Sequence, residues 1–409
     1  MARQPATAAL PFEATTTLKG AGMNDETPMD LTAVLAPVAE ARGLPNAHYT
    51  DPATFAQEAE ALLLSKWAGV GFGKDIPEPG DVMPVDFLGI PVLLARQDDG
   101  GIKAFQNTCR HRGMILIEEK QNVRGTLRCP YHSWCYGLNG ALRATPHVGG
   151  PGHNIHENIS RESLGLVEFP CAVFRDVIFV NISRDAPPFD QYAAKLIDRW
   201  RDHDQPLHHG GASSGFSFDV KCNWKLAVEN YCEAYHLPWI HPGLNSYSRL
   251  EDHEHIEEPG HFAGQITHVY RQFEGEDGAR FPDFDGLPKW WDKGAEYIAF
   301  FPNVLFAAQR DHAYAMVLMP KGPERTVEQT EIYYAFDPET RPDLAPMIAQ
   351  NAELWKGVLE EDLFVVEGMQ KGRHGPLFDG GKFSPVMDNP THVFHRWCAE
   401  NFRARATGA

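Results

Sequence analysis

The stretch Cys109–Trp134, CRHRGMILIEEKQNVRGTLRCPYHSW, holds two Cys–His pairs: C-x-H at Cys109/His111 and C-x₂-H at Cys129/His132, with 17 residues between His111 and Cys129. Thiolate and imidazole are both metal ligands. Structural zinc sites usually pair C-x₂₋₄-C with H-x₃₋₅-H, whereas here each half mixes one Cys with one His. Two mixed halves suit a two-iron cluster, with thiolates on one iron and imidazoles on the other. Neutral imidazoles raise the reduction potential of such a cluster above that of an all-Cys one. A structural zinc site is the competing reading.

A second constellation lies about a hundred residues downstream. In NWKLAVENYCEAYHLPWIHPGL (Asn223–Leu244), His236 and His241 stand five apart. Five helical steps turn a side chain by ~500°, about 140° net, so a regular helix would not aim both at one point. Pro238 lies between them and is expected to break the helix and swing His241 round. Two His plus one carboxylate make the facial triad of non-haem Fe(II) sites, with open positions left for O₂. The carboxylate must come from elsewhere in the chain.

The C-R-H-R-G and C-P-Y-H segments resemble the motif of the Rieske non-haem iron oxygenases, over about residues 45–400. The resemblance implies a 2Fe-2S Rieske cluster held by Cys109 and Cys129 on the inner iron and by His111 and His132 on the outer one. Tyr131 and Trp134 would pack around it. Position 133 is usually a small residue, often Gly, so Ser133 fits approximately; Cys135 has no ligand role and reads as an ordinary thiol. The late segment LEEDLFVVEGMQKG resembles the family's carboxylate segment and makes Asp362 the third ligand of a mononuclear Fe(II), with Glu361 as the adjacent rival and Glu360 a weaker one. Glu233 occupies the slot of the acid that joins an iron-ligand His to a cluster His of the neighbouring chain, which implies a head-to-tail homotrimer. That slot commonly carries Asp in ring hydroxylases; Glu resembles the subgroup acting on glycine betaine, carnitine and stachydrine.

These residues need elements to position them. Asp51–Trp67 reads as a helix with Asp51 as cap and Pro52 in its first turn. From Val82 to Ile182, short β-rich runs broken by Gly, Pro, Asp and Asn describe an all-β domain with the cluster motif in its loops. DAPPFD (Asp185–Asp190) reads as a linker. Beyond it, YIAFFPNVLFAA, AYAMVLMPKG and VEQTEIYYAF read as strands, and Glu339–Gly372 as mostly helix. The expected class is α+β: an N-terminal arm (1–44), a Rieske domain with its leading helix (45–185), and a helix-grip catalytic domain, an antiparallel sheet with helices (186–409).

The totals narrow the function classes. A 409-residue chain exceeds one core, so two domains are expected. The net charge of −18 argues against nucleic acid and anionic membranes. No apolar run reaches the length of a membrane span. The N-terminal MARQPATAALPFEATTTLKG lacks a secretory pattern, and seven scattered cysteines do not suit a disulfide framework, so a cytoplasmic protein is expected. Aromatic residues crowd the expected substrate pocket: Tyr231, Trp239, Trp291, Tyr297 and Phe301, with Trp290 and Phe300 beside them. Aromatic faces suit a methylated ammonium, and they also suit a flat ring. His208, His209, His253, His255, His261 and His268 are expected in solvated loops. The expected activity is that of an oxygenase component using O₂, with electrons from NAD(P)H through a separate flavin/iron–sulfur reductase, because no G-x-G-x-x-G fingerprint follows a strand. Oxidative N-demethylation or hydroxylation of a quaternary ammonium compound leads. Ring hydroxylation is the alternative within the mechanism, and a non-enzymatic electron carrier the alternative of another class.

Overall fold

The computed structural model describes residues 30–275 and 278–407. Most of the expected N-terminal arm lies outside the described residues. Its described part is docked: Leu31 and Val34 are buried, and the Leu44 N–H donates to His395 Nδ1 at 3.0 Å on the C-terminal helix Asn389–Thr407. The leading helix runs Pro52–Glu58 and continues as a π-turn over Ala59–Leu64. Asp51 caps it, accepting from the Thr54 N–H at 2.7 Å. A buried polar cluster ties the leading segment to the catalytic half. Lys225 Nζ lies 2.6 Å from Glu58 Oε2, and His48 Nδ1 2.7 Å from Glu58 Oε1, all three side chains at most 1% exposed.

The cluster half is antiparallel throughout. A five-stranded sheet runs in the order Gln121–Asn122, Asp81–Phe87, Ile90–Arg96, Ile102–Gln106, Glu168–Phe169, beside a three-stranded sheet of Thr126–Arg128, Cys135–Gly137 and Leu142–Ala144. They share a core of Leu93, Phe105, Leu127, Trp134 and Tyr136. A further three-stranded sheet, Ala68–Phe72, Val177–Val180 and Cys171–Phe174, docks onto the catalytic half. At that junction Gly69 and Asn303 exchange hydrogen bonds of 2.9 Å in both directions. A Cβ on Gly69 would sit 2.4 Å from Val304 Cγ2, so only glycine permits this approach.

The catalytic half is one eight-stranded antiparallel sheet, ordered His208–His209, Arg325–Tyr334, His312–Gly322, Val304–Ala308, Ala295–Phe300, Phe262–Thr267, His253–Glu258, with Gly215–Val220 also pairing Arg325–Tyr334. Trp224–Tyr231, Ala345–Glu361, Leu363–Gly372 and Asn389–Thr407 are its main helices. Met347, Ile348 and Trp355 of the second pack with Tyr314 and Ile332 of the sheet. The α+β class is as expected. The helix expected from Glu339 begins only at Ala345, because Pro338 and Pro342 start separate 3₁₀ turns. It also breaks once, at Asp362, whose N–H reaches back three residues to the Leu359 carbonyl.

Candidate functional site

The two cluster loops are near copies of each other. The Cys109 N–H donates to the Met114 carbonyl and the Gly113 N–H to the Cys109 carbonyl; likewise Cys129 N–H to Trp134 and Ser133 N–H to Cys129. Each turn has its fourth residue after the Cys at positive φ, 76° at Gly113 and 57° at Ser133. This explains the small residue expected at position 133: an L side chain is tolerated there at a strain cost. The second loop is the tip of the hairpin closed by Arg128↔Cys135, the first is closed by the bridge Thr108↔Ile115. Both cysteines are 2% exposed, and the His111 and His132 rings meet at 4.7 Å on the exposed side. Trp134 stacks on His111 at 4.8 Å, and the Tyr136 hydroxyl lies 3.3 Å from Cys109 Sγ. Burial raises the Cys109 thiol pKa, with Cys129 beside it adding to the rise. Partial burial, then His132 and Arg112, hold His111 below the ordinary imidazole range, which favours its neutral, ligating form.

At the second centre, one donor atom each of His236, His241 and Asp362 lie within 4.8 Å of one another. His236 Nε2 is 3.7 Å and His241 Nε2 3.1 Å from Asp362 Oδ1. That buried oxygen lacks hydrogen-bond geometry to any partner. The other nitrogen of each ring is already engaged: His236 Nδ1 with Glu233 Oε1 and His241 Nδ1 with Glu361 Oε2, both at 2.7 Å. A carboxylate on Nδ1 fixes the tautomer that aims the Nε2 lone pair at the shared point. The donor set therefore fits a divalent cation. Burial disfavours charge on His241, but Asp362 and Glu361 outweigh it and raise its pKa, so the pocket favours a cation, whether proton or metal. Glu361, 49% exposed, orients a ring, while Asp362, 15% exposed, faces the shared point. Glu360 is exposed and outside the group.

The local backbone differs from the expected one. Pro238 does not break a helix; it sits in the first turn of the short helix Leu237–Ile240. His241 itself leaves the helix, at φ −116° and ψ 60°. The reason is Pro242, whose ring disfavours α conformation in the residue before it. Glu233 Oε2 also accepts from the backbone N–H groups of Tyr235 and His236, so its carboxylate is fixed within its own turn.

The donors open into a cavity lined by Tyr231, Tyr297, Tyr314, Trp355, Ser248 and His253. Its floor is one cross-strand row, Gln265↔Tyr297↔Ala307↔Tyr314, in which the small Ala307 leaves room between two tyrosines. Trp355 closes the wall, 5.0 Å from Tyr314 and 6.1 Å from Tyr297 between ring centroids. The Tyr231 hydroxyl donates to the Phe306 carbonyl at 2.9 Å, and burial raises its pKa well above the ordinary range. Three of the expected pocket residues lie elsewhere. Trp239 is 68% exposed, edge-on to Tyr235; Trp291 is buried against His203; Phe301 packs between Phe394 and Trp397. His253 is not in a solvated loop. It lines the cavity from a strand, bonded to Ser248 at 2.9 Å and Gln265 at 2.7 Å. Trp355, Tyr314 and His253 were missed by the sequence reading. Trp355 carried a signal: it stands seven residues before Asp362, two helical turns and one face.

The family of the Rieske 2Fe-2S domain matches residues 66–160. That of the ring hydroxylating alpha subunit (catalytic domain) matches residues 197–404. The chain is 25% identical to the glycine betaine monooxygenase oxygenase subunit of Chromohalobacter salexigens, over 88% of this chain and 86% of that protein. It is 24% identical to the carnitine monooxygenase oxygenase subunit of Acinetobacter pittii, over 80% and 84%. Among solved structures, it resembles the quaternary ammonium Rieske monooxygenase CntA with a TM-score of 0.72 at 21% identity, covering 91% of this chain and 98% of that one. It resembles naphthalene 1,2-dioxygenase from Rhodococcus with a TM-score of 0.69 at 19% identity, covering 88% and 94%. With the cluster loops ahead of the donor triad and both halves matched, the chain belongs to the ring-hydroxylating alpha-subunit family of Rieske oxygenases.

Proposed function

We propose that this chain is the oxygenase component of a monooxygenase that oxidises a quaternary ammonium compound, with electrons from NAD(P)H delivered by a separate flavin/iron–sulfur reductase. The carrying observation is the cavity that joins His236, His241 and Asp362 to the rings of Tyr231, Tyr297, Tyr314 and Trp355. A trimethylammonium gains ~0.5–2 kcal/mol from each such face. Trp355 is prepared for this: its Nε1–H donates to His312 Nε2 at 2.7 Å, and His312 Nδ1 bonds the buried Asp311 carboxylate at 2.8 Å. That relay draws positive charge from the indole edge and leaves the face more negative.

Cys109, Cys129, His111 and His132 would hold the cluster, and His236, His241 and Asp362 the mononuclear iron. When bound, the two centres supply electrons and O₂ activation. O₂, two electrons and two protons convert one N-methyl to N-hydroxymethyl plus water; the hemiaminal then releases formaldehyde and leaves a tertiary amine. Glu233 holds His236 from behind, and its remaining acceptor capacity would receive the exposed His111 or His132 of a neighbouring chain in a head-to-tail homotrimer. All seven cysteines are unpaired, which suits a reducing cytoplasm.

The test is single turnover of the iron-loaded protein with a chemically reduced cluster, O₂ and 4-(trimethylammonio)butanoate. Formaldehyde and the tertiary amine are the expected products. No formaldehyde, together with a hydroxylated product from an aromatic acid, would overturn the reading in favour of ring hydroxylation.

A further inference from the structure

A second chamber adjoins the cavity at the donor triad. Leu244, Ser248, Tyr297, Trp355 and Val358 line both the chamber at the donor triad and a second, outer chamber. These five residues form a wall common to the two chambers, which therefore adjoin. The outer chamber is lined by Tyr247, Tyr270, Arg271, Phe273, His312 and Asn351, among others. It contains two formal charges, Arg271 and Glu274. Glu274 is already paired, with Arg280 at 3.3 Å. Arg271 is exposed and lies over the Tyr247 ring, 5.9 Å from its centroid. Among the described residues it has no carboxylate partner and no hydrogen bond. Asp311, the other acid nearby, is fully buried behind the wall and engaged by the Tyr270 hydroxyl at 2.9 Å and by His312.

A guanidinium with no carboxylate partner among the described residues stands out in a chain of net charge −18, where acids outnumber bases 55 to 37. Its five donors are suited to grip a carboxylate in a bidentate fork, and the ring of Tyr247 limits its movement. The inner chamber is furnished for a cation and the rim of the outer one for an anion. A substrate filling both would carry opposite charges at its two ends.

We propose that the outer chamber is a subsite for an anionic tail, and that Arg271 selects zwitterionic substrates whose carboxylate is separated from the quaternary nitrogen by a chain of several carbons. Choline-like cations would fill only the inner chamber. This rests on the quaternary ammonium reading, and the ligands of the test separate the two.

Binding is measured by calorimetry on the oxidised holoenzyme, without reductant, so that no turnover intervenes. The probes are 4-(trimethylammonio)butanoate, its methyl ester, and 5,5-dimethylhexanoate, which keeps the carboxylate and replaces the ammonium by a neutral tert-butyl group. The wild type is expected to bind the zwitterion about tenfold more tightly than the ester, the scale of one charge-assisted contact. Arg271→Gln should abolish that difference and leave the ester's affinity unchanged, while Arg271→Lys should keep part of it. Added salt should weaken the zwitterion more than the ester. Equal binding of zwitterion and ester by the wild type, or no binding of either, overturns the subsite. So does an Arg271→Gln variant that loses both equally, since that marks a general disturbance of the loop. If 5,5-dimethylhexanoate binds as tightly as the zwitterion and Arg271→Gln weakens both, the anionic subsite stands and the cationic reading of the inner chamber fails.

Discussion

Glu361 and Asp362 are adjacent acids with different tasks, and the difference can be measured as metal affinity. Asp362 Oδ1 faces both Nε2 atoms at 3.1 and 3.7 Å; Glu361 reaches only the far nitrogen of His241, at 2.7 Å. Glu361→Ala should leave all three donors in place but free the His241 ring to rotate and change tautomer. Loss of such an orienting partner costs ~10–100-fold in metal affinity, about 1.4–2.7 kcal/mol. His236 keeps its own partner Glu233, so the loss should stay within that range. Asp362→Ala removes one donor of three together with the charge that neutralises the cation, and stoichiometric binding should disappear. Glu360→Ala, at an exposed position outside the group, should change nothing. The assay is a competitive titration of Fe(II) or Co(II) against a chelator on protein stripped of mononuclear metal, with the cluster absorbance as an internal count of intact chains. Metal retained in Asp362→Ala and lost in Glu361→Ala would refute the reasoning and move the ligand by one residue. Equal, complete loss in both would refute the division of labour.

Three further outcomes concern the frame. Lys225→Met removes the ammonium from the buried Glu58 carboxylate and leaves it only His48 as a partner, between the leading segment and the helix Trp224–Tyr231, and should cost up to ~3–5 kcal/mol in urea unfolding; the double variant with Glu58→Gln should recover a large part. Gly69→Ala forces a Cβ toward Val304 Cγ2, and should destabilise by ~1–3 kcal/mol, read as a lowered Tm. Burial, with Arg175 nearby, pushes the His203 pKa down to about 3, whereas the unfolded chain titrates near 6.5. The neutral native form is therefore fully stable above pH 6.5 and loses stability as pH falls toward 3. By pH 5 the loss is about 2 kcal/mol, and His203→Leu should flatten that part of the denaturation profile; an unchanged slope would refute the assignment.

What could be read in the sequence follows the range of the interactions that make each part. The cluster loops are local: ligand, positive-φ residue and returning carbonyl fall within six residues, from Cys109 to Met114 and from Cys129 to Trp134. Their chemistry was legible for that reason. The pair His236/His241 was legible too, although the proline that turns His241 is Pro242 and not Pro238, because two prolines flank the ligand and only the following one restricts its ψ. The pocket rings are a different matter. Nearness to a ligand along the chain gave Trp239, which is 68% exposed and outside the cavity lining, because the helix that carries it is a single turn at the surface. Tyr314 comes from a strand that meets Tyr297 only through Ala307, a pairing fixed by sheet register across two hairpins. No local pattern announces that row. Trp355 stood within reach of periodicity alone, once Asp362 is taken as a ligand: Trp355, Val358, Leu359 and Asp362 recur at the i, i+3, i+4, i+7 spacing of one helix face, and all four line the cavity. A ligand placed near the end of a helix thus identifies the pocket wall two turns before it, whereas the opposing floor depends on how the strands are registered.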